Sequence, residues 1–555
     1  MRRLYVAVKR LRTALSLTSG FATLESLGAG FATGMVAPPF REVSLRSPSL
    51  HSGATIPVSL FTSAIPILDF LPAPYIKLKG SRCLTIIGTE GSETILYRQH
   101  ILADCLQLSE TVREMYDIAV EALEREKKVW GGWMSEKYPE GTLRRSIGVL
   151  HIFLQLLKRL RQIAKEQGAR FRSEGFTRLF DMLAKELDDE YLRIFEEHLQ
   201  RLTFKNGILI SAELGKGSKG VNYILRKQSD ARQNWIERFQ GWLDQATGRN
   251  GYRYIYEIAD RDEAGFRALS ELSGQGISNV AAALGQSTDH ILNFFSMLRL
   301  ELGFYIGCLN LRDRLARKHE PICFPEPLAV GRPMLSCRGL YDVCLALSTA
   351  DRVVGNDVAA DYKALVIITG ANRGGKSTFL RSAGLAQLMM QCGMFVPAES
   401  FRTNVCCGLF THFKREEDAT MKSGKLDEEL SRMSSIIDAT SPDSFVLLNE
   451  SFSSTNEREG SEIARQIVRA LLDTGVKIFY VTHMFDLAHR FYRAKMNDAL
   501  FLRAERLPDG GRTFRLVEGA PLPTSYGEDL YRRIFGALQN GAMRASPRNT
   551  EPEQL

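Results

Sequence analysis

The sequence predicts an α/β domain built around a phosphate-binding loop at its C-terminal end, preceded by a mainly α-helical region that carries a small β insert. Three observations predict this. From about Leu340 short apolar runs alternate with helical patterns, as they do when helices cover a parallel sheet. The segment Gly370-Ala371-Asn372-Arg373-Gly374-Gly375-Lys376-Ser377-Thr378 follows one such run and opens a helix. Upstream, between about Tyr97 and Lys318, apolar residues recur at steps of three and four.

Composition bounds the rest. The 555 residues, 44% hydrophobic and 25% charged, have the balance of a globular protein of two or three domains, which excludes a disordered, collagen-like or purely repetitive chain. No apolar run of about 20 residues is free of both Pro and charge, so no membrane partner is expected. Nine Cys without a C-x-x-C pair predict reduced thiols in the cytoplasm and no zinc site. The net charge of +8 is unevenly placed: residues 1–80 hold nine Lys/Arg against three Asp/Glu, leaving 63 against 61 in the rest. Any DNA binding by the main body therefore needs a local patch that net charge does not reveal.

Residues 1–85 are rich in Ser, Gly, Ala and Pro and read as a disordered or mis-assigned N-terminal extension, although an Arg-rich, acid-poor start has the pattern of a targeting leader as well. Residues 86–325 read as the helical domain. Leu143, Ile147, Leu150, Leu154 and Leu157 form one stripe, and Phe176, Phe180, Leu183 and Leu187 another, with a break at Gln167-Gly168. Between Leu202 and Arg226 the period becomes two, with Asn206-Gly207 offering a hairpin turn and Gly215, Gly217 and Gly220 a second loop. Helical pattern returns from Asp262 to about Lys318 through Ile291, Phe294, Phe295, Leu298 and Leu302, and Pro321 to Pro333 reads as a linker. Residues 326–536 are the α/β domain, with buried strands expected at Ala364–Ile368, Phe445–Leu448 and Lys477–Val481, and 537–555 a flexible tail.

The chemistry sits at the ends of those strands. Glycines at 370, 374 and 375 let the backbone curl so that several N–H groups, Asn372 and Thr378 among their bearers, face a phosphate chain at a helix N-terminus. Lys376 then reaches the terminal phosphates of ATP, and the Ser377 hydroxyl ligates Mg²⁺. The second strand ends in Asn449-Glu450. Asn449 stands where an Asp is usual and holds the ion more weakly, while Glu450 is placed to orient and deprotonate an attacking water. The third ends in Thr482-His483, whose imidazole suits a hydrogen bond to a γ-phosphate or that water. His412 and His489 have no such context and receive no role.

With these pieces in order, the last 210 or so residues resemble the ATPase domain of the MutS family, the mismatch-repair branch of the ABC-type ATPases. The loop at 370–377 resembles the family's Gly-Pro-Asn-Met-Gly-Gly-Lys-Ser, Gln391 to Ala398 its next helix end and strand, Val481-Thr482-His483 its histidine switch, and Ser525-Tyr526-Gly527 its Ser-Tyr-Gly. Residues 95 to about 318 are similar to its helical core and lever region by arrangement. The resemblance implies an ABC-type fold, a homodimer, DNA as partner, and a serine from one subunit completing the other's site. Ser423 matches that serine, with capping of its own helix as the competing role.

The pattern departs from the family in several places. F-x-E occurs at Phe40, Phe195 and Phe324 without a mismatch-reading module around it, so a short member lacking that front domain is expected. Val353 stands where the family often has an aromatic against adenine, and Arg373 replaces a Met, bringing a charge that offsets Asn449. Two functions follow: an ATP-hydrolysing dimeric clamp that couples nucleotide to DNA engagement in mismatch repair or related processing, or a nucleotide-gated dimeric scaffold with weak or no ATPase that recruits other proteins.

Overall fold

The computed structural model describes residues 54–57, 83–86, 91–129, 139–204, 209–214, 216, 220–225, 263–414, 424–524, 526 and 531. Two compact units divide them. One takes Glu110 to Leu302, the other the described residues before Glu110 together with Gly303 onward.

Strands β1 (Ala54–Pro57) and β2 (Cys83–Ile86) pair antiparallel, with Ala54 opposite Ile86. The stretch expected to be an extension thus supplies two short strands that no hydrophobic period announced, since four residues are too few to show one. Helix α1 (Ser92–Gln107) is joined to the later chain by Gln99, whose Nε2 donates to the Pro325 carbonyl at 3.0 Å.

The helical unit is built from α2 (Ser109–Lys128), α3 (Pro139–Gln167), α4 (Glu174–Glu186), α5 (Asp189–Leu202) and most of α6 (Glu263–Ala316). The stripe on α3 is buried from Leu143 to Ile163, and Phe153 meets Phe295 of α6 with ring centroids 5.3 Å apart. The break after Gln167 is a single 3₁₀ turn, Gly168–Arg170, after which Phe171, Phe176 and Phe180 form an aromatic cluster. The side chain of Asp188 caps α5 by accepting from the Tyr191 N–H at 2.6 Å, satisfying one of the free donors of a helix start. The β insert is the antiparallel pair of β3 (Ile210–Leu214) and β4 (Gly220–Leu225); Asn206-Gly207, Gly215 and Gly217 lie outside the described residues.

One part of α6, Ser273–Ala316, is long and apolar enough to span a membrane, which the search for an uninterrupted apolar run did not anticipate. Half of its most apolar window is buried inside the protein, among it Phe294, Phe295, Leu298 and Leu302, so a core position accounts for its composition.

The remaining elements are β5 (Glu326–Leu328), β6 (Leu335–Leu340), α7 (Val343–Ser348), β7 (Asn356–Ala359), β8 (Leu365–Gly370), α8 (Lys376–Gln391), β9 (Ser400–Asn404), β10 (Leu409–Phe413), α9 (Lys425–Ala439), β11 (Phe445–Asn449), α10 (Glu457–Asp473), β12 (Lys477–Val481), α11 (Phe485–Arg493), β13 (Ala499–Arg506) and β14 (Arg512–Glu518). They form a six-stranded sheet of order β10-β11-β12-β8-β13-β14, parallel except for its last strand, and a four-stranded sheet of order β5-β9-β6-β7. The three strands expected from their apolar runs are adjacent and buried, because a parallel sheet covered on both faces needs uninterrupted apolar residues. The Pro321–Pro333 segment is no free linker: β5 pairs parallel with β9, and Cys323 bridges to Val396. A three-residue edge strand tolerates the Pro327 that argued against it.

Helix α8 packs between the two sheets. Lys477 is buried there, donating to Thr403 Oγ1 at 3.2 Å and lying 4.6 Å over the Phe445 ring, and burial pushes its amine down to about 8. The eight cysteines from Cys105 to Cys407 carry free thiols.

Candidate functional site

The site forms where β8, β12 and β11 end side by side. Their register places Ile368 beside Val481 and Val481 beside Asn449, so the residues following each strand emerge at the same edge, where ligands bind in open α/β sheets. Gly370 leaves β8 with φ 106°, and a side chain there would come within 2.8 Å of the Ala504 backbone nitrogen, so both conformation and space call for glycine. Gly375, at φ 88°, begins α8 without any side-chain cap, so the first N–H groups of that helix lack a side-chain partner and point into the loop. Exposed Arg373 also adopts a left-handed φ of 59°.

Lys376 folds over this loop. Its buried Nζ donates to the Gly370 and Ala371 carbonyls at 3.0 and 2.9 Å. Burial pushes its amine down to about 8, with Glu450 opposing the shift and Arg512 adding to it. A loop that curls around a buried, desolvated ammonium with helix N–H groups beside it fits a polyphosphate, which would replace those carbonyls as its partner. Thr378 lies in the first turn of α8, its carbonyl accepting from Ser382 Oγ at 2.8 Å.

Ser377 Oγ donates to Asn449 Oδ1 at 2.7 Å, which brings together the two residues expected at a metal. Both oxygens are neutral, and among the described residues no group of three or more His, Cys, Asp or Glu is placed to hold a metal ion. The pair fits Mg²⁺ only as an ion carried largely by the phosphates themselves, the usual mode for an ion that retains water and binds few protein ligands.

Glu450 follows directly, at φ 53°, its N–H donating to the Val481 carbonyl at 2.8 Å. Its Oε1 lies 2.9 Å from His483 Nε2, both side chains being about one-third exposed. The hydrogen bond from His483 holds its carboxyl below the usual range against the opposing effect of burial, with Lys376 and Lys414 contributing. An ionised carboxylate oriented by an imidazole beside a phosphate-loop lysine has the arrangement to position a water for in-line attack. Ser423 lies outside the described residues; the helix after it, α9, is capped by Gly424 with no side-chain bond.

Several contributors carry no sequence signal. Arg512 Nε donates to the Asn372 carbonyl at 3.2 Å, fixing the loop from β14. Asn356 ties β7 to β14, donating to the Phe514 carbonyl at 3.2 Å and accepting from the Leu516 N–H at 2.7 Å. This sets exposed Phe514 beside Gly375. Val353 N–H donates at 2.8 Å to Glu320, a buried carboxylate just past α6. These partners lie 33 to 160 residues apart, beyond any local pattern.

Comparison with known proteins gives two family matches. Residues 90–318 match the MutS2 N-terminal domain, and residues 366–532 match MutS domain V. MutS protein homolog 4 of Mus musculus is 28% identical over 266 residues, 47% of this chain and 26% of that protein. The DNA mismatch repair protein MutS of Thermotoga neapolitana is 31% identical over 207 residues, 36% of this chain and 25% of that protein. The same-named protein of Chlorobium phaeobacteroides is 33% identical over 246 residues, covering 43% and 28%. The matched stretch thus spans about a quarter of the length of each relative.

Proposed function

Since this chain belongs to the MutS family, we propose that it binds and hydrolyses ATP and works as a dimeric clamp that couples nucleotide to DNA engagement, in mismatch repair or related DNA processing. The observation that carries this reading is the convergence of Lys376, the Ser377–Asn449 pair and the Glu450–His483 pair at the ends of three adjacent parallel strands. In this reading residues 326–536 are the ABC-type phosphate-loop ATPase domain, 86–325 the helical core and levers, 1–85 an extension and 537–555 a tail, in a protein of the cytoplasm without a membrane partner.

The geometry supports the following roles, except that of Ser423, which rests on the resemblance. The loop at 370–375 and the start of α8 bind the phosphates, and Lys376 leaves the loop carbonyls to neutralise them. Ser377 and Asn449 are the residues that would hold Mg²⁺, which would supply charge neutralisation at the phosphates. Glu450 orients the attacking water and takes its proton, and His483 fixes the carboxylate's direction. Ser423 from a second copy completes the site. DNA is the macromolecular partner, in keeping with the mismatch-repair proteins to which the chain is similar.

The neutral oxygen of Asn449 favours a second reading, a nucleotide-gated scaffold that hydrolyses poorly and recruits other proteins. ATP turnover with duplex, mispaired and branched DNA separates the two. Stimulation by DNA that vanishes in Lys376→Ala supports the clamp, whereas ATP-dependent dimerisation without DNA affinity supports the scaffold. Glu450→Gln should keep ATP binding, lose turnover by roughly a thousandfold and accumulate closed dimer. Loss of ATP binding in that variant would remove the role given to Glu450.

A further inference from the structure

A second polar cluster lies behind the site, inside the same unit. Helix α9 buries two residues, Glu429 and Met433. Burying a carboxylate is costly unless its oxygens are satisfied, and both are. Glu429 Oε2 accepts the Phe452 N–H at 2.8 Å, and Oε1 accepts the Ser454 hydroxyl at 2.8 Å. The helix is therefore fastened by charge-assisted bonds to the loop that begins right after Glu450.

His412, near the end of β10 and fully buried, closes the cluster. Its Nε2 lies 3.1 Å from the Glu429 carbonyl and its Nδ1 2.7 Å from Ser451 Oγ, while its ring stacks on Phe452 at 5.5 Å. A carbonyl only accepts, so Nε2 carries the proton, and the single Ser451 hydroxyl proton faces two acceptors, Nδ1 at 2.7 Å and the His412 carbonyl at 3.1 Å. Burial pushes His412 down to about 4, which keeps the ring in this neutral form. The Ser451 carbonyl in turn accepts from Tyr480 OH at 2.7 Å, in the strand beside Glu450.

The loop so held is unusual in its backbone. Glu450 and Phe452 have φ of 53° and 63°, a left-handed conformation that side chains rarely adopt and that persists only where its surroundings impose it. Glu429 supplies that constraint at Phe452, and His412 at Ser451.

We propose that Glu429 and His412 are positioning residues that make the direction of the Glu450 carboxylate depend on the placement of helix α9. The proposal rests on the nucleotide-hydrolysing reading and extends it.

The test uses the full-length protein and Glu429→Gln, which preserves size but sets an amide against two donors. Without nucleotide, hydrogen–deuterium exchange at residues 450–454 should quicken by about tenfold, with the rest of the six-stranded sheet unchanged. With nucleotide, turnover should fall roughly ten- to a hundredfold while ATP affinity stays within about twofold, the sign of a misplaced group rather than a lost binding contact. Ser454→Ala removes a single bond and should show the same split at about two- to fivefold, which keeps the test open should Glu429→Gln fold poorly. Unchanged exchange at 450–454, or equal loss of binding and turnover in both variants, overturns the proposal. Wild-type protein with no affinity for ATP would instead overturn the functional reading, and the exchange measurement would still decide whether Glu429 holds the turn.

Discussion

Nucleotide binding should take up a proton at Lys376, and the structure sets the size of the effect. Burial in the loop lowers this amine from the ordinary lysine range to about 8, equivalent to roughly 3 kcal/mol favouring the neutral form. A triphosphate brought against Nζ restores the charged form. The free protein at pH 7 has about one-tenth of Lys376 neutral, at pH 8 about half and at pH 9 about nine-tenths, and these fractions are the protons taken up on binding. Glu450 is ionised throughout, its carboxyl lying below the usual range, so it does not contribute. Affinity for ATP should accordingly weaken by about tenfold between pH 7 and 9. Calorimetric titrations at pH 8.5 in buffers of different ionisation enthalpy should give an uptake of about 0.8 proton. In the nucleotide-free protein the sign is opposite. Between pH 8 and the ordinary lysine range the unfolded chain holds a proton that the folded chain lacks, so Lys376 adds stability as pH rises there. An affinity that is flat from pH 7 to 9, with no buffer dependence, would refute the assignment of Lys376 as a desolvated phosphate ligand.

Two further predictions address the metal and the helical unit. Asn449→Asp puts a charge 2.7 Å from the Ser377 hydroxyl and should lower the Mg²⁺ concentration for half-maximal turnover by roughly three- to tenfold; an unchanged requirement would mean that Asn449 leaves no deficit for Arg373 to offset. Phe153→Ala removes a fully buried ring tilted against Phe295 and should cost about 3–5 kcal/mol of stability, read as a lower denaturant midpoint, while ATP affinity stays unchanged.

The amino-acid order alone determined the parts whose physics is local. A five-residue apolar run, Ala364–Ile368, closely followed by Gly370 to Thr378 encodes a strand, a tight loop and a helix start within one short window, so Lys376 and Ser377 were legible there. The apolar stripes on α3 and α6 likewise followed from the helical period, and the three strand ends located Asn449, Glu450 and His483. Periodicity marks which face of an element is buried but not what covers it. Only the tertiary structure decided that Ser377 meets Asn449, that His483 meets Glu450, that Arg512 braces the loop at Asn372, and that the supposed linker joins a sheet. It also gave His412, which no pattern singled out, its place between Ser451 and Glu429. Each of these contacts joins groups far apart along the chain, and the free energy that selects their partners comes from burial and hydrogen bonding available only once the strands have paired and the helices have docked.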